Sequence, residues 1–399
     1  MEKLAIHGGK PVRDNPIYYG RQYIDEADCA AVCDVLLSDL ITTGPKAAEL
    51  EQKLCNLTGA KYAVAIANGT AALHAACFAA GIKPGDEVIT TPITFAASAN
   101  CVLYCGGTPV FADINPETYN ISPASIREKI SDRTKAVIPV DFAGQAVELD
   151  EIREICREFN LIMIEDAAHS IGTKYNGKHI GSIADMTTFS FHPVKTVTGG
   201  EGGAILTNDK EFYDKLMLFR THGITRDQSL MENPTDDGWY YEQIVLGYNY
   251  RMTDFQSALI MSQLDKLDSF AARRKEIVRR YNEAFAVMPE IILQHEIPQS
   301  DTVQHLYIVQ LNLDLLSCTR REFFDAMAAE RVIPNVHYIP VYYLPYYQKL
   351  GYKKGICPNA EHVYERFISI PLFYSMTDDD VESVIITLRK IIAHYKREG

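Results

Sequence analysis

Short apolar segments alternate with helical segments between residues 61 and 170, and this alternation constrains the fold more than any other feature of the sequence. Each apolar segment has the length of one strand and leads into a turn and a helical pattern. Strands that are apolar on both faces are typical of a parallel sheet covered by helices. The sequence therefore predicts an α/β fold with a mostly parallel sheet. The predicted strands are KYAVAIA (61–67), GDEVITTP (85–92), PVFADIN (109–115), KAVIPVDFAG (135–144) and LIMIEDAAHS (161–170).

The C-terminal third of the chain has a different pattern and predicts a smaller α+β domain. A chain of 399 residues is long enough for two domains. A long amphipathic helical pattern runs from Thr253 to Phe285, and we place the boundary inside it. The large domain is then 1–265, with the N-terminal helices included, and the small domain is 266–399. The small domain contains a tyrosine-rich loop over residues 336–352, which is either packed surface or part of a binding site.

The composition excludes several classes of function. With 47% hydrophobic and 23% charged residues, the chain is typical of a globular protein. Its formal net charge of −13 disfavours nucleic acid and anionic membranes as partners. The first residues lack the apolar core of a secretory signal, and no apolar run is long enough to span a membrane. Nine cysteines without a CxxC pair favour a reducing compartment. We therefore expect a cytoplasmic protein without a metal site.

The segment DMTTFSFHPVKTVTGGEGGAI, residues 185–205, contains the strongest candidate for a reactive side chain. Lys195 lies between the end of a predicted strand and a glycine-rich turn. Partial burial there would disfavour the charged ammonium, and the neutral amine can attack a carbonyl group. The alternative is a solvated loop lysine. Segments far away in the sequence favour the reactive interpretation.

Three other predicted strands also end in residues that suit a ligand. Asn68–Gly69–Thr70 joins a strand to a helix, which creates either an anion site at the helix N-terminus or a capped helix. Asp166 ends another strand and could be a metal ligand, a helix cap or the partner of a buried cation. Phe95 lies just beyond a third strand end. In parallel sheets such residues gather at the carboxyl edge of the strands.

An amine, a carboxylate, a phosphate cradle and an aromatic ring together suit pyridoxal 5′-phosphate (PLP). This cofactor needs a lysine for its aldehyde, a carboxylate for its ring nitrogen, donors for its phosphate and a flat group over its ring. The candidates for these roles are Lys195, Asp166, Gly69–Thr70–Ala71 and Phe95, with the Ser190 hydroxyl as a further phosphate ligand.

Six ordered blocks show that the chain resembles the DegT/DnrJ/StrS sugar aminotransferases along essentially its whole length. The resemblance implies the PLP-dependent aspartate-aminotransferase fold, fold type I. It implies that Lys195 is the lysine that bonds to the cofactor and that Asp166 pairs with the ring nitrogen. The blocks are TTGPKAAELE (42–51), ANGTAALH (67–74), GDEVITTPITFAASAN (85–100), EDAAHSIG (165–172), FSFHPVKTVTGGEGGAILTND (189–209) and GYNYRMTDFQSA (247–258).

The same resemblance implies further roles for residues near the ring and for a second subunit. His169 stands where the family often has Gln and would contact the ring hydroxyl. Phe95 would stack on the ring. Asn249 would reach the cofactor phosphate of the neighbouring subunit, which implies a homodimer with shared active sites.

Three motifs resemble the branch of the family that makes the 4-amino sugar precursor of pseudaminic acid. They are FHPVK (191–195), VDFAG (140–144) and IPVYYLPYYQKLGY (339–352). The implied substrate is UDP-2-acetamido-2,6-dideoxy-β-L-arabino-hexos-4-ulose, and the implied amino donor is L-glutamate. Sister enzymes aminate C4 or C3 of other UDP- or dTDP-linked keto sugars with the same catalytic residues.

The residues that would contact the substrate are less well defined by the sequence. Thr42, Thr43 and Tyr338 are candidates, although turn capping and surface packing explain them equally well. Arg251 could bind a diphosphate or a carboxylate, or form an interface ion pair. Related PLP-dependent sugar dehydratases have histidine at the position of Lys195, so the lysine favours a transaminase. The remaining alternative is a non-catalytic protein that kept the fold.

Overall fold

The computed structural model describes residues 2–397. The strands are β1 (Ile17–Tyr18), β2 (Tyr62–Ile66), β3 (Glu87–Thr90), β4 (Thr108–Phe111), β5 (Thr134–Ile138), β6 (Ile162–Asp166), β7 (Lys174–Tyr175), β8 (Lys178–His179), β9 (Met186–Ser190), β10 (Gly203–Thr207), β11 (Ile224–Thr225), β12 (Glu242–Gln243), β13 (Ile291–Leu293), β14 (Ser300–Asp301), β15 (Tyr307–Leu311), β16 (Val332–Ile333) and β17 (Phe367–Ile370).

The helices cover both faces of the central sheet and much of the C-terminal lobe. They are α1 (Glu26–Leu36), α2 (Lys46–Thr58), α3 (Gly69–Ala79), α4 (Ala97–Tyr104), α5 (Pro123–Lys129), α6 (Leu149–Glu158), α7 (Lys210–Arg220), α8 (Asp254–Leu264), α9 (Leu267–Phe285), α10 (Arg320–Ala329), α11 (Pro345–Lys349), α12 (Pro358–Tyr364) and α13 (Asp378–Tyr395). Within residues 2–397, no helix combines the length and the apolar composition needed to cross a bilayer.

The central sheet confirms the predicted α/β architecture. Its seven strands follow the order β2–β10–β9–β6–β5–β3–β4. All are parallel except β10, which runs antiparallel to β2 and β9. The short segment between β9 and β10 explains this exception, because a parallel connection needs a longer crossover, usually a helix. Separate apolar clusters pack on the two faces of the sheet, so its strands are buried on both sides.

The C-terminal lobe contains a three-stranded antiparallel sheet, β13–β15–β17, with α9, α10 and α13 packed in one apolar core. The prediction of one long helix from Thr253 to Phe285 was wrong, because the structure has two helices, α8 and α9, with a break at Asp265–Lys266. The Lys266 ammonium instead binds the carboxylates of Asp25 at 2.8 Å and Asp28 at 2.7 Å. The domain boundary at 265/266 stays a prediction.

The N-terminal segment lies on the C-terminal lobe. Leu4 is fully buried in the core of that lobe, and β1 pairs in parallel with β16. These residues belong to the predicted large domain in sequence, yet they pack against residues near the other end of the chain.

The carboxyl ends of the parallel strands bring distant candidate residues to one edge of the sheet. Asn68 follows β2, Phe95 follows β3, Asp166 ends β6 and Lys195 follows β9. The N-terminus of β10 lies at the same edge because that strand runs in the opposite direction.

Candidate active site

A cavity of about 870 Å³ opens at this edge of the sheet. Most of the residues predicted from the sequence line it together. They are Gly69, Thr70, Ala71, Phe95, Asp166, His169, Ser190, Lys195 and Tyr338. The central expectation, that Lys195 and Asp166 share one space of cofactor size, is therefore met by the geometry.

The turn between β2 and α3 forms a close-packed cradle at one end of the cavity. Asn68 Oδ1 accepts a hydrogen bond from the Ala71 amide at 2.8 Å, so the predicted cap is present. The first amides of a helix have no acceptor within the helix and point towards its N-terminus, where they favour an anion. A Cβ on Gly69 would lie 2.8 Å from Ser190 Cβ, so only glycine lets the helix start approach Ser190. The cap and the anion site are thus compatible.

Asp166 is a buried carboxylate held by two donors. Ser98 Oγ donates to Oδ2 at 2.7 Å, and the Ala168 amide donates to Oδ1 at 3.2 Å. Burial raises the pKa of Asp166, while these hydrogen bonds and the nearby Lys195 charge lower it in part. Among residues 2–397, no group of three or more potential ligands is arranged to hold a metal ion. The sequence allowed Asp166 to be a metal ligand, a helix cap or the partner of a buried cation. Its burial next to Lys195 favours the role of a cation partner.

Two more buried carboxyl groups, Asp141 and Glu165, lie close enough to Asp166 for its charge to raise their pKa values. Ser170 Oγ donates to Asp141 Oδ2 at 2.5 Å, and Thr187 Oγ1 donates to Glu165 Oε2 at 2.8 Å. Burial raises the pKa of Asp141 to about 7, and burial together with Asp141 raises the pKa of Glu165 well above its usual range. Because only Asp166 faces a lysine, the negative charge of the group is most favourable there.

Lys195 reaches the cavity from a tight turn after β9. Its amide donates to the His192 carbonyl at 2.9 Å, and its side chain is half-buried. Loss of hydration lowers the pKa of Lys195 from 10.5 to about 8, although Asp166 raises it in part. The predicted desolvation of this amine is therefore present, and about a tenth of the amine is neutral at pH 7, far more than for an ordinary lysine.

Aromatic and imidazole rings form another part of the cavity wall. Phe95 has 61% of its surface exposed, so one face of its ring is free to cover a flat ligand. Its centroid lies 6.1 Å from that of Tyr338, whose hydroxyl is hydrogen-bonded to His169 Nε2 at 3.2 Å. His169 also packs against His305 with ring centroids 4.7 Å apart. Burial lowers the pKa of both histidines well below the usual range, so this wall is uncharged at neutral pH.

Several cavity residues were missed by the sequence analysis. Ser98 lies in the first turn of α4, where it bonds Thr94 Oγ1 at 2.8 Å, and a serine near a helix start can be recognised in the sequence. Its contact with Asp166 depends on the fold and could not be predicted. Four further residues come from the N-terminal segment and the C-terminal lobe, where no strand-end pattern marks them. They are Tyr19, His305, Asn335 and His337.

Four predicted residues do not line the cavity of their own chain. Thr42, Thr43 and Asn249 are exposed, and Arg251 is half-buried. Thr42 pairs with Thr253, and this contact brings the TTG turn next to the YNYR segment. These residues thus share one external surface rather than the cavity.

A model of the DegT/DnrJ/EryC1/StrS aminotransferase family matches residues 22–389. The chain belongs to this aminotransferase family. Two relatives are the Bacillus subtilis spore coat polysaccharide biosynthesis protein SpsC, 41% identical, and the Campylobacter jejuni UDP-4-amino-4,6-dideoxy-N-acetyl-β-L-altrosamine transaminase, 36% identical. The alignments cover 95% of this chain and 98% of SpsC, and 96% of this chain and 99% of the transaminase.

Solved structures with the same fold include two sugar-related aminotransferases. Helicobacter pylori PseC, involved in the biosynthesis of pseudaminic acid, has a TM-score of 0.89 and 31% identity over 96% of this chain and 100% of PseC. The PLP form of the Streptococcus pneumoniae putative sugar aminotransferase Spr1654 has a TM-score of 0.88 and 31% identity over 95% of this chain and 99% of that protein. The protein is therefore a PLP-dependent aminotransferase of fold type I.

The residues of the cavity fit PLP. The buried Asp166 carboxylate would pair with the protonated ring nitrogen of the cofactor. The amides at the start of α3 and the Ser190 hydroxyl suit the phosphate, and the Gly69–Ser190 approach leaves no room for a side chain in between. Bound PLP supplies an electron sink and carries the amino group between two substrates. The protein would supply the amine, the fixed carboxylate and the donors.

Proposed function

We propose that the enzyme transfers the amino group of L-glutamate to C4 of UDP-2-acetamido-2,6-dideoxy-β-L-arabino-hexos-4-ulose. The products are the 4-amino sugar and 2-oxoglutarate; the ketone oxygen of the sugar leaves as water, and one water supplies the oxo oxygen of 2-oxoglutarate. The observation that carries the proposal is the joint lining of one cavity by Lys195, Asp166 and an uncharged wall of tyrosines and histidines. The names of the Campylobacter jejuni relative and of Helicobacter pylori PseC support this sugar. A biosynthetic enzyme of this kind would work in the cytoplasm.

In this proposal each cavity residue has a defined task. Lys195 Nζ takes the proton from Cα of glutamate and later returns a proton to C4 of the sugar. Asp166 keeps the ring nitrogen protonated, and Ser98 and the Ala168 amide keep Asp166 in place. The start of α3 and Ser190 hold the phosphate. Phe95 covers one face of the ring, while His169 is within reach of its hydroxyl.

A product assay tests the proposed substrate. The purified enzyme is incubated with L-glutamate and, separately, with UDP- and dTDP-linked 4-keto and 3-keto sugars. We expect the highest kcat/KM for the UDP-linked β-L-arabino 4-keto sugar, and NMR coupling constants of the product should show the configuration at C4. L-Aspartate and L-alanine replace glutamate in parallel reactions. A higher kcat/KM with a different sugar would reject this substrate without rejecting transamination.

The relationship to SpsC supports a second candidate. Its identity of 41% exceeds the 36% of the transaminase, and its name refers to spore coat polysaccharide. The alternative substrate is therefore another UDP- or dTDP-linked keto sugar, aminated at C4 or C3 by the same residues. The product assay distinguishes the two candidates because it compares both nucleotides and both ketone positions.

The external surface around Asn249 supports a homodimer with shared active sites. Asp254 accepts hydrogen bonds from the amides of Gly44 and Lys46, both at 2.8 Å, and thereby fixes the TTG turn beside the YNYR segment. Leu246, close in sequence, has 75% of its surface exposed and would add apolar area to an interface formed there. In the proposed dimer, Asn249 and the Thr42–Thr43 turn of one protomer face the cavity of its partner, and Arg251 binds an anionic group there.

Mixed dimers test whether Asn249 acts across the interface. Lys195→Ala and Asn249→Asp are each expected to lose most activity, the second because a new carboxylate repels the phosphate. Equal mixing with subunit exchange should restore about a quarter of the wild-type activity, since half of the dimers then carry one intact site. Mixing Lys195→Ala with Lys195→Ala,Asn249→Asp provides the control and should restore nothing. If the first mixture regained no activity, Asn249 would not contribute to the active site of the partner subunit.

A further inference from the structure

The N-terminal segment is anchored to the C-terminal lobe by one buried carboxylate. Glu330 Oε1 accepts the Ala5 amide at 2.8 Å, and Oε2 accepts the Val12 amide at 2.9 Å. Lys390 Nζ donates to Glu330 Oε2 at 3.0 Å and to the Lys10 carbonyl at 2.9 Å. Glu330 is fully buried; its charge is paired with Lys390, and two of its contacts order the segment. We call residues 4–18 the N-terminal arm.

The arm delivers Tyr19 to the cavity. The pairing of β1 with β16 ends directly before Tyr19, and the Leu372 amide donates to the Tyr19 carbonyl at 3.1 Å. At the next residue, the position of a Cβ on Gly20 would lie 3.8 Å from Val194 Cβ. Val194 directly precedes Lys195. The backbone of Tyr19 is thus fixed between the C-terminal lobe and the turn that carries the reactive lysine.

The side chain of Tyr19 rests on an imidazole that is already fully hydrogen-bonded. The ring centroids of Tyr19 and His337 are 4.8 Å apart. His337 Nδ1 is hydrogen-bonded to Ser369 Oγ at 2.8 Å, and Nε2 to Asn335 Nδ2 at 3.2 Å. Both nitrogens are therefore occupied, and His337 acts as a rigid support. Burial lowers the pKa of His337 to about 4, so the support is neutral.

The hydroxyl of Tyr19 is the polar group that this support leaves free. Tyr338 bonds His169, whereas within residues 2–397 Tyr19 has no hydrogen-bond partner for its hydroxyl, and both Tyr19 and His337, on which its ring packs, line the cavity. Lys195 is the only lysine or arginine among the cavity-lining residues of the described chain. A neutral aromatic and amide surface suits the hydroxyl and amide groups of a sugar better than a carboxylate, which prefers cationic partners.

We propose that Tyr19 is a substrate-specificity residue whose hydroxyl hydrogen-bonds the keto sugar and which the Glu330-anchored arm holds in position. The proposal rests on the proposed function, because it assigns Tyr19 to the nucleotide-sugar half of the transamination. Glutamate lacks the hydroxyl and acetamido groups of the sugar that this neutral surface suits. Tyr19 should therefore distinguish the two half-reactions, which occur in the same cavity.

The two half-reactions, followed separately by the absorbance of the bound cofactor, test the assignment. Tyr19→Phe should lower kcat/KM for the nucleotide sugar by about fivefold to tenfold, mainly through KM, as expected for one lost hydrogen bond. The glutamate half-reaction should stay within twofold of wild type by the same estimate. Tyr18→Phe is the matched control, since Tyr18 precedes it and has 59% of its surface exposed. Equal losses in both halves, or no loss in either, would overturn the proposal.

Binding of UDP-N-acetylglucosamine, measured by calorimetry, separates this inference from the proposed function. Tyr19→Phe should weaken this binding and Tyr18→Phe should not; equal affinities for wild type and Tyr19→Phe would contradict the inference even if no keto sugar were turned over. Absence of turnover by wild type with every sugar would instead reject the proposed function.

Glu330→Gln removes an acceptor and a charge from the anchor. This variant should speed hydrogen exchange at the amides of residues 5–18 and lower kcat/KM for the nucleotide sugar. Unchanged exchange together with unchanged kinetics would contradict the role of the arm.

Discussion

Lys195→Ala is expected to abolish transamination with every amino donor and sugar. The variant loses the amine that bonds to the cofactor and the group that moves the proton. Proton transfer by a positioned side chain alone contributes about 10²–10⁴-fold to a rate, and the loss of the covalent bond adds to this. Both half-reactions should fail, and the absorbance of lysine-bound cofactor near neutral pH should disappear. Stopped-flow absorbance with glutamate and a product assay with the sugar measure the two losses.

Two controls make this result specific to the amine. Lys178→Ala removes an exposed lysine from β8 and should leave both half-reactions unchanged. Small primary amines added to Lys195→Ala should restore part of the proton transfer, because the cavity retains its cofactor-binding groups. Normal turnover by Lys195→Ala would show that the reactive amine lies elsewhere.

The pH dependence of cofactor attachment follows from the same residue. Burial lowers the pKa of Lys195 to about 8, and the amine reacts only in its neutral form, which dominates above the pKa. The rate of PLP attachment to the apoenzyme should therefore rise with pH up to about 8 and then level off. An amine with the ordinary pKa of 10.5 would continue to gain reactivity beyond that point.

The sequence predicted those site residues whose signal is local. Lys195 stands between a strand and a glycine turn, and Asp166 ends an apolar strand, so the edge of a parallel sheet brings them together. Asn68 and Gly69 carry their own helix-start signal. For these residues, strand length and apolar pattern were sufficient to predict both the element and the edge at which its functional residue lies.

The remaining features depend on contacts between distant parts of the chain. Tyr19 follows an arm that contacts Glu330 and Lys390, both more than 300 residues away. The break between α8 and α9 is stabilised by Asp28, which lies in another helix. His305 and His337 belong to a lobe whose docking onto the sheet no periodicity describes. Local patterns contain no information about such pairings, so these residues were missed.

Asp166→Asn is expected to keep the cofactor bound but to lose most of the rate. The amide has the shape of the carboxylate and can still accept from Ser98 or the Ala168 amide. It cannot hold a proton on the cofactor ring nitrogen, which then loses its capacity to accept electrons. Breaking a buried charge pair costs about 3–5 kcal/mol, which corresponds to a decrease of about 10²-fold to 5 × 10³-fold in rate. The glutamate half-reaction, measured in single turnover, should show the decrease directly.

Ser98→Ala separates the charge of Asp166 from its position. This variant retains the carboxylate and removes the 2.7 Å hydrogen bond to Oδ2, so the loss should be smaller, about tenfold. Removing that donor also raises the pKa of Asp166, because Ser98 lowers it in the wild type. The acidic limb of the pH–rate profile should therefore move to higher pH in Ser98→Ala and vanish in Asp166→Asn, which has no carboxyl group to titrate. If Asp166→Asn kept the wild-type rate and acidic limb, the carboxylate would serve the packing of β6 and not the reaction.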